Sequence, residues 1–335
     1  MRVTRRSPHP GGRELDEGVL RFHTVLNSDG GTLRTTDLKA LTERIAKAMG
    51  EHDHSVSFEV VSGSDVVTAL ERAARARKVD VVMAGGGDGT ISAAAAALMG
   101  KKKALAVLPA GTMNLFARGL GIPLSLDKAI EAFATGGAKA VDMATANGRP
   151  FVHQFSIGMH AKMVHLRSKM EFGSRWGKMG ASARAAYATL MNPPSLRVEL
   201  KFRDVELTTR TTGIGITNNL FGEGTLPYAH DPAGGTLGVY ITVARQRGEL
   251  LRFIAKLARG KWRDNEQVEV HEADEAVLTI LSKRFRHSCV IDGELMKLDR
   301  ETTLKIHPSS LNVWVPRTED TERSESGRQK NAIRA

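Results

Sequence analysis

Cysteine is nearly absent from this 335-residue sequence. Cys289 is the single one, which excludes an intrachain disulfide framework and fits a reducing cytoplasm. It stands in the apolar stretch SCVIDG, where a buried, inert thiol is expected rather than a nucleophile. Aromatic residues are scarce, at 5%. With basic residues dispersed along the chain and no recognisable nucleic-acid motif, nucleic acid is not the expected partner. No apolar run approaches the roughly 20 residues that cross a bilayer. The basic N-terminus, MRVTRRSPHPGGRELDEG, also lacks the apolar stretch of a secretory signal. Acidic side chains are in deficit, 37 against 48 Lys and Arg, for a formal net charge of +11. That sign favours an anionic partner such as a membrane surface or polyphosphate. What remains, 41% hydrophobic and 25% charged, is ordinary for a globular protein, and the length allows two domains with separate cores.

The stretch VDVVMAGGGDGT (79–90) joins a short, Val-rich run to a cluster of glycines around one carboxylate. Val79 to Ala84 are too few for a helix and read as a strand covered on both faces. Gly85, Gly86, Gly87 and Gly89 let another group approach the backbone closely. The helix former ISAAAAAL follows and stops at Gly100. Strand, glycine turn and helix N-terminus together favour an anion such as phosphate, although an unliganded tight turn has the same pattern. The dinucleotide fingerprint would need glycine at Thr90, and the Walker pattern would need a lysine that does not follow. The turn therefore suits phosphate without a lysine, with Asp88 placed to hold a metal ion or position a hydroxyl.

Strands and helices alternate from Phe22 to about Val141. FHTVLNSDGG, HSVSFEVVSG, VDVVMA and ALAVLPAGT read as strands. LKALTERIAKAM, DVVTALERAARAR, ISAAAAALMG and LDKAIEAFATG read as helices. This predicts a parallel α/β sheet over 19–141, with ligands at the carboxyl ends of its strands. The turns at Asn27–Gly31, Gly85–Thr90 and Gly111–Asn114 all lie at such ends. Beyond Val141 the stretches FVHQFSIGM, LRVELKFRD, VELTTRTTGIGITN, GGTLGVYITVA, VEVHEADEAVLTIL, FRHSCVIDGE and TTLKIHP read as strands. They predict an antiparallel, sandwich-like domain over 142–302, interrupted by helices near 176–190 and 248–259, with a cleft between the two domains. LNVWVP, within 303–316, is expected to return to the first domain. Residues 1–18 and 317–335 read as disordered.

LPAGTMNLFARGLGIP (108–123) places Thr112 and Asn114 where they can cap the next helix or reach a phosphate or ribose. CVIDGELMKL places Asp292 and Glu294 around Gly293. The pair suits a hairpin turn, and equally a carboxylate facing a cleft, where Glu294 could take a proton from an attacking hydroxyl.

Gly86-Gly87-Asp88-Gly89-Thr90, then Gly111-Thr112 with Asn114, then Asp292-Gly293-Glu294, resemble the diacylglycerol kinase catalytic-domain family over roughly residues 20–316. The bacterial soluble lipid kinases related to diacylglycerol and sphingosine kinases are the nearest in pattern. The resemblance implies an ATP-dependent lipid kinase of two domains that uses Mg²⁺. Nucleotide contacts would fall on Gly86 to Thr90 with Ile91 and Ser92, on Gly111, Thr112 and Asn114, and near Asn27. Glu294 would be the catalytic base. Asp88 would bind or orient the Mg²⁺–nucleotide, or assist Glu294. ITNNLFGEG (216–224) resembles a family stretch lining the lipid side. A cytoplasmic enzyme acting on a lipid at an anionic membrane surface is the implied setting, peripheral to the inner membrane. A NAD kinase or phosphofructokinase relative, or a non-catalytic nucleotide or lipid sensor, are the alternatives.

The chain departs from the family pattern in three places. The early turn, Asn27-Ser28-Asp29-Gly30-Gly31, has no proline. Leu115 stands where an aspartate usually follows Asn114. The family's DGxLD stretch, which supports a structural Mg²⁺ in some members, reads Gly234-Gly235-Thr236-Leu237-Gly238, so that metal site is expected to be missing.

Overall fold

The computed structural model describes residues 18–168, 175–222, 224, 226–244, 247–259, 266–282 and 288–317. The terminal segments expected to be disordered lie, but for Gly18 and Arg317, outside them. Four parallel strands open the chain: β1 (Arg21–Asn27), β2 (Ser55–Val61), β3 (Val81–Gly86) and β4 (Ala104–Pro109), in the order β2-β1-β3-β4. β3 and β4 are buried along their whole length, as an apolar run in a sheet covered on both faces must be. The helices between and after them are α1 (Leu38–Gly50), α2 (Val66–Arg75), α3 (Asp88–Leu98), α4 (Leu115–Gly119) and α5 (Leu126–Ala134). α1 shows why these segments wind. Asp37 caps it by accepting the N–H groups of Lys39 and Ala40, and Leu41, Ile45 and Met49 fall at four-residue spacing on the buried face.

The second half contains β5 (Gly137–Ala146), β6 (Arg149–Phe151), β7 (Gln154–Gly158), α6 (Met159–Ser168), α7 (Arg175–Met191), β8 (Leu196–Phe202), β9 (Val205–Thr211), β10 (Gly213–Asn218) and β11 (Leu237–Thr242). It continues through α8 (Arg247–Ala258), β12 (Val268–Ala273), β13 (Glu275–Ile280), β14 (Ser288–Ile291), β15 (Glu294–Lys297) and β16 (Glu301–Val315). An antiparallel sheet, β12-β11-β10-β7-β14-β15, packs against β13 and β8, which extend the first sheet. The alternation of β8, Leu196, Val198, Leu200 and Phe202 buried with Arg197 and Lys201 exposed, is that of a strand with one face in a sandwich core. The fold is thus a parallel α/β part with an antiparallel sandwich after it.

Several strand expectations change. The stretch 205–218 is two strands, β9 in the first sheet and β10 in the second, broken at Thr212. The stretch 268–281 likewise divides at Asp274 into β12 and β13, one in each sheet. The stretch read as FRHSCVIDGE is a hairpin from β14 to β15 where it is described. TTLKIHP and LNVWVP, conversely, are the single strand β16, whose register shifts between His307 and Leu311 around Pro308. Its first part pairs antiparallel with β13 and with the end of β5, and Asn312 to Trp314 pair parallel with β4. One strand therefore runs from the sandwich into the α/β layer. β5 and α6 carry no counterpart in the sequence reading.

Candidate functional site

The three glycine-bearing turns, at the carboxyl ends of β1, β3 and β4, meet. Asn27, buried at the end of β1, donates from Nδ2 to Thr90 Oγ1 at 3.0 Å and accepts the Asp29 N–H at 3.0 Å. Asp29 in turn accepts the Gly63 N–H at 2.7 Å, binding the end of β2. Gly31, at φ +45°, passes so close to β4 that an added Cβ would lie 1.8 Å from the Ala110 carbonyl oxygen. The Thr32 N–H donates to that same oxygen at 2.8 Å. Gly111 lies against Gly87, an added Cβ falling 2.9 Å from its Cα.

At the centre stands the N-terminus of α3. Its N-cap is Gly87, which has no side chain to cap the first amides, so those amides remain for an anion. A Cβ built on Gly89 meets no heavy atom within 4 Å, so the first turn has open space beside it. Thr90 is held by Asn27, and Ile91 is 4% exposed and packs in the first core. The Ile91 N–H is spent within α3 on the Gly87 carbonyl at 3.1 Å, so the amides free of helix partners lie before it.

Asp88 spans two turns. Its Oδ1 accepts the Leu115 N–H at 2.9 Å and its Oδ2 the Asn114 N–H at 3.2 Å. Asp88 thus caps α4, a task the sequence reading offered to Thr112 and Asn114 as the alternative to a phosphate or ribose contact. Asn114, at φ +50°, caps nothing. Its Oδ1 accepts the Gly111 N–H at 2.8 Å and its Nδ2 donates to the Gly111 carbonyl at 3.0 Å, which fixes the turn from within. Thr112 and Met113 are exposed at its tip.

The late motif forms the hairpin turn between β14 and β15. Asp292 and Gly293 have φ of +47° and +87°, as a two-residue turn matched to strand twist requires. The Asp292 carboxylate accepts the N–H groups of Val152, His153 and Gln154 at 2.9, 2.9 and 3.0 Å and the hydroxyl of Ser92 on α3. Burial raises its pKa, while these four donors pull it down. Ser92 therefore ties the glycine-turn helix to the hairpin, rather than offering a free hydroxyl. Glu294, next after the turn, is exposed and pairs with Arg149 at 3.0 Å.

His153 was not singled out from the sequence. Its ring stacks on Phe221 with centroids 5.1 Å apart. Burial pushes its pKa down to about 4, with Asp88 pulling it up and His160 pushing it further down. The imidazole is thus neutral near neutral pH and close enough to feel the Asp88 charge. His160 is also lowered by burial, and its Nδ1 lies 2.6 Å from Ser156 Oγ. His153 lies between β6 and β7 in a stretch that reads as one apolar strand, and a histidine there carries no sequence signal for this placement. Cys289 is buried, its thiol raised by burial. No three His, Cys, Asp or Glu side chains cluster as a metal site among the described residues. No helix among them is long and apolar enough to cross a membrane.

Residues 21–146 match the family model of the diacylglycerol kinase catalytic domain. Among curated proteins, an uncharacterized protein of Synechocystis sp. is 28% identical over 249 residues, 70% of this chain and 54% of its own length. A probable YegS-like lipid kinase of Yersinia pestis is 43% identical over 84 residues, 24% of this chain and 28% of its own length. The chain thus spans about half the length of the first relative and less of the second. A putative diacylglycerol kinase from Bacillus anthracis shares the fold with a TM-score of 0.72 at 19% identity, covering 89% of this chain and 95% of that one. A second putative diacylglycerol kinase of that organism gives 0.68 at 18%, covering 88% and 96%.

Proposed function

We propose, from the match of residues 21–146 to the diacylglycerol kinase catalytic domain, that the chain is an ATP-dependent kinase phosphorylating the hydroxyl of a lipid. The observation that carries the reading is the convergence of three strand-end turns on the uncapped N-terminus of α3, tied through Ser92 to the Asp292 hairpin. Bound ATP with Mg²⁺ supplies the phosphoryl group and neutralises part of its charge. The amides of Gly87 to Thr90 face the phosphates, and the open side of Gly89 admits them. Asp88 holds the turn from Gly111 to Asn114 against this cradle, with lone pairs left on both oxygens for the metal–nucleotide. Asp292, its carboxylate engaged by four donors, anchors the hairpin. Glu294, beyond the anchor and open to solvent, takes the proton of the lipid hydroxyl as its oxygen attacks. The substrate, a diacylglycerol or a sphingoid- or ceramide-like lipid, comes from the aqueous face of an anionic membrane.

The test is transfer of label from [γ-³²P]ATP to a panel of hydroxylated lipids in mixed micelles, with NAD and fructose 6-phosphate alongside. Labelled lipid is expected. Label on NAD or the sugar phosphate alone overturns the lipid assignment, and nucleotide binding without any transfer leaves a sensor.

A further inference from the structure

The loop that lacks acidic residues at 234 and 238 is held by a carboxylate from elsewhere. Asp142, on β5 and 1% exposed, accepts the Gly235 N–H on Oδ2 at 2.7 Å and the Ser309 N–H on Oδ1 at 2.8 Å. Its own N–H donates to the Pro232 carbonyl at 2.9 Å, and its carbonyl accepts Asn218 Nδ2 at 2.9 Å. One residue thereby binds β5 to the loop after Asp231, to the end of β10 and to β16. Ser309 sits at φ +52°, inside the register shift between His307 and Leu311. There β16 leaves one core for the other, with Leu304 and Ile306 in the sandwich and Leu311 and Val313 in the α/β part.

The surroundings do not suit a hard cation, which needs about six oxygen ligands. Each Asp142 oxygen accepts one amide hydrogen, and no three His, Cys, Asp or Glu side chains cluster here among the described residues to complete a ligand set. Gly234 and Gly238 bring no side-chain oxygen, and neither position has room to regain one cheaply. A Cβ on Gly238 would lie 2.6 Å from Thr217 Oγ1 and 2.8 Å from the Tyr240 ring. That ring fills the space, and its hydroxyl accepts the Phe221 N–H at 2.9 Å. A Cβ on Gly234 would lie 3.0 Å from Asn219 Oδ1, which already accepts the Thr236 N–H at 3.3 Å. The buried Nδ2 of Asn219, without a partner, presents hydrogens rather than lone pairs to its surroundings.

We propose that Asp142 clamps this loop and the turn in β16 by direct hydrogen bonds, in place of a bound divalent cation, and so fixes the junction between the two parts of the molecule. The clamp stands whether or not the chain is a lipid kinase, because its test needs neither nucleotide nor lipid.

Thermal unfolding of the full, nucleotide-free chain is followed in Mg²⁺, in Ca²⁺ and in EDTA, with metal content read by native mass spectrometry. The wild-type midpoint is expected to be the same in all three, with no stoichiometric ion. Asp142→Asn keeps the shape but turns an amide group toward one of the two N–H donors. Its midpoint is expected to fall by several degrees, equally in Mg²⁺ and EDTA. A saturable rise of the wild-type midpoint with Mg²⁺ or Ca²⁺ at one ion per chain overturns the proposal. An Asp142→Asn midpoint equal to wild type overturns it too. Should that variant not fold, the wild-type metal titration still decides.

Discussion

Asp88 sits at the first turn of α3 while its carboxylate caps α4, so one side chain shapes the proposed phosphate cradle and the turn facing it. Asp88→Asn turns an NH₂ toward one of the Asn114 and Leu115 amides. A donor left unpaired in this part-buried place costs about 1–3 kcal/mol. Phosphoryl transfer is expected to be lost, with a modest drop in thermal midpoint. Near-normal turnover would show that Asp88 is a turn residue alone. Glu294→Gln preserves size and removes the proposed base. It should lower kcat by about 10²–10⁴-fold with nucleotide affinity little changed. Loss of nucleotide binding along with turnover would instead place Glu294 on the metal–nucleotide side. His153 yields a pH prediction of opposite character. Its folded pKa of about 4 lies below the ordinary value of 6.5, so the unfolded chain binds the extra proton. Stability is then whole above pH 6.5 and falls as pH drops toward 4, by an amount on the order of 3 kcal/mol. Urea unfolding of His153→Gln between pH 7 and 5 should show a shallower pH slope than wild type. An unchanged slope refutes the assignment.

The elements that build the site meet through backbone contacts, and these set what each turn tolerates. Gly31→Ala would place a Cβ against the Ala110 carbonyl at a positive φ, and neither backbone can yield without parting the β1 and β4 turns. Strain of this kind costs about 1–3 kcal/mol. The nucleotide dissociation constant, measured by calorimetry, should rise at least tenfold, because the Asn27–Thr90 bond lies on the same turn. Wild-type affinity in a folded Gly31→Ala protein contradicts the convergence. The parallel half was legible in the sequence because β3 and β4 are buried on both faces and its helices carry apolar residues at four-residue spacing, as α1 does. The sandwich was legible only as alternation. At Asp274 the chain passes from one sheet to the other without a glycine or proline to mark the corner, and at Thr212 the adjoining Gly213 lies within a run that reads as one continuous strand. Pro308 mimicked a break because a strand with a register shift accommodates proline. The glycine turns announced the cradle. The caps that arrange it, Asp88 on α4 and Asp292 on the backbone of 152–154, join residues 26 to 140 positions apart, a partnership no local pattern encodes.

At the scale of the whole molecule, the charge balance bears on how a chain with no membrane-crossing helix among its described residues meets a lipid. Within the dispersed net +11 there is one local surplus. From Met159 to Met191 the sequence has Lys162, Arg167, Lys169, Arg175, Lys178 and Arg184 against the single acid Glu171. This stretch begins directly after β7, whose first residue, Gln154, donates its N–H to Asp292, so the basic surplus follows the strand that the Asp292 turn holds. A Lys or Arg near an anionic leaflet contributes about 1 kcal/mol, and the attraction decays over a Debye length of about 8 Å at physiological salt. Binding to sedimented vesicles should therefore increase steeply as phosphatidylserine or phosphatidylglycerol replaces phosphatidylcholine, and weaken as salt rises from 50 to 500 mM. Reversing Lys162 and Arg184 to Glu should weaken binding to anionic vesicles while leaving transfer to a lipid dispersed in neutral detergent micelles unchanged, since neither side chain belongs to the cradle or the hairpin. Equal binding of wild type to neutral and anionic vesicles at both salt concentrations removes charge as the guide. If wild type binds anionic vesicles selectively and the reversed variant binds as well, the surplus elsewhere on the surface provides the attraction.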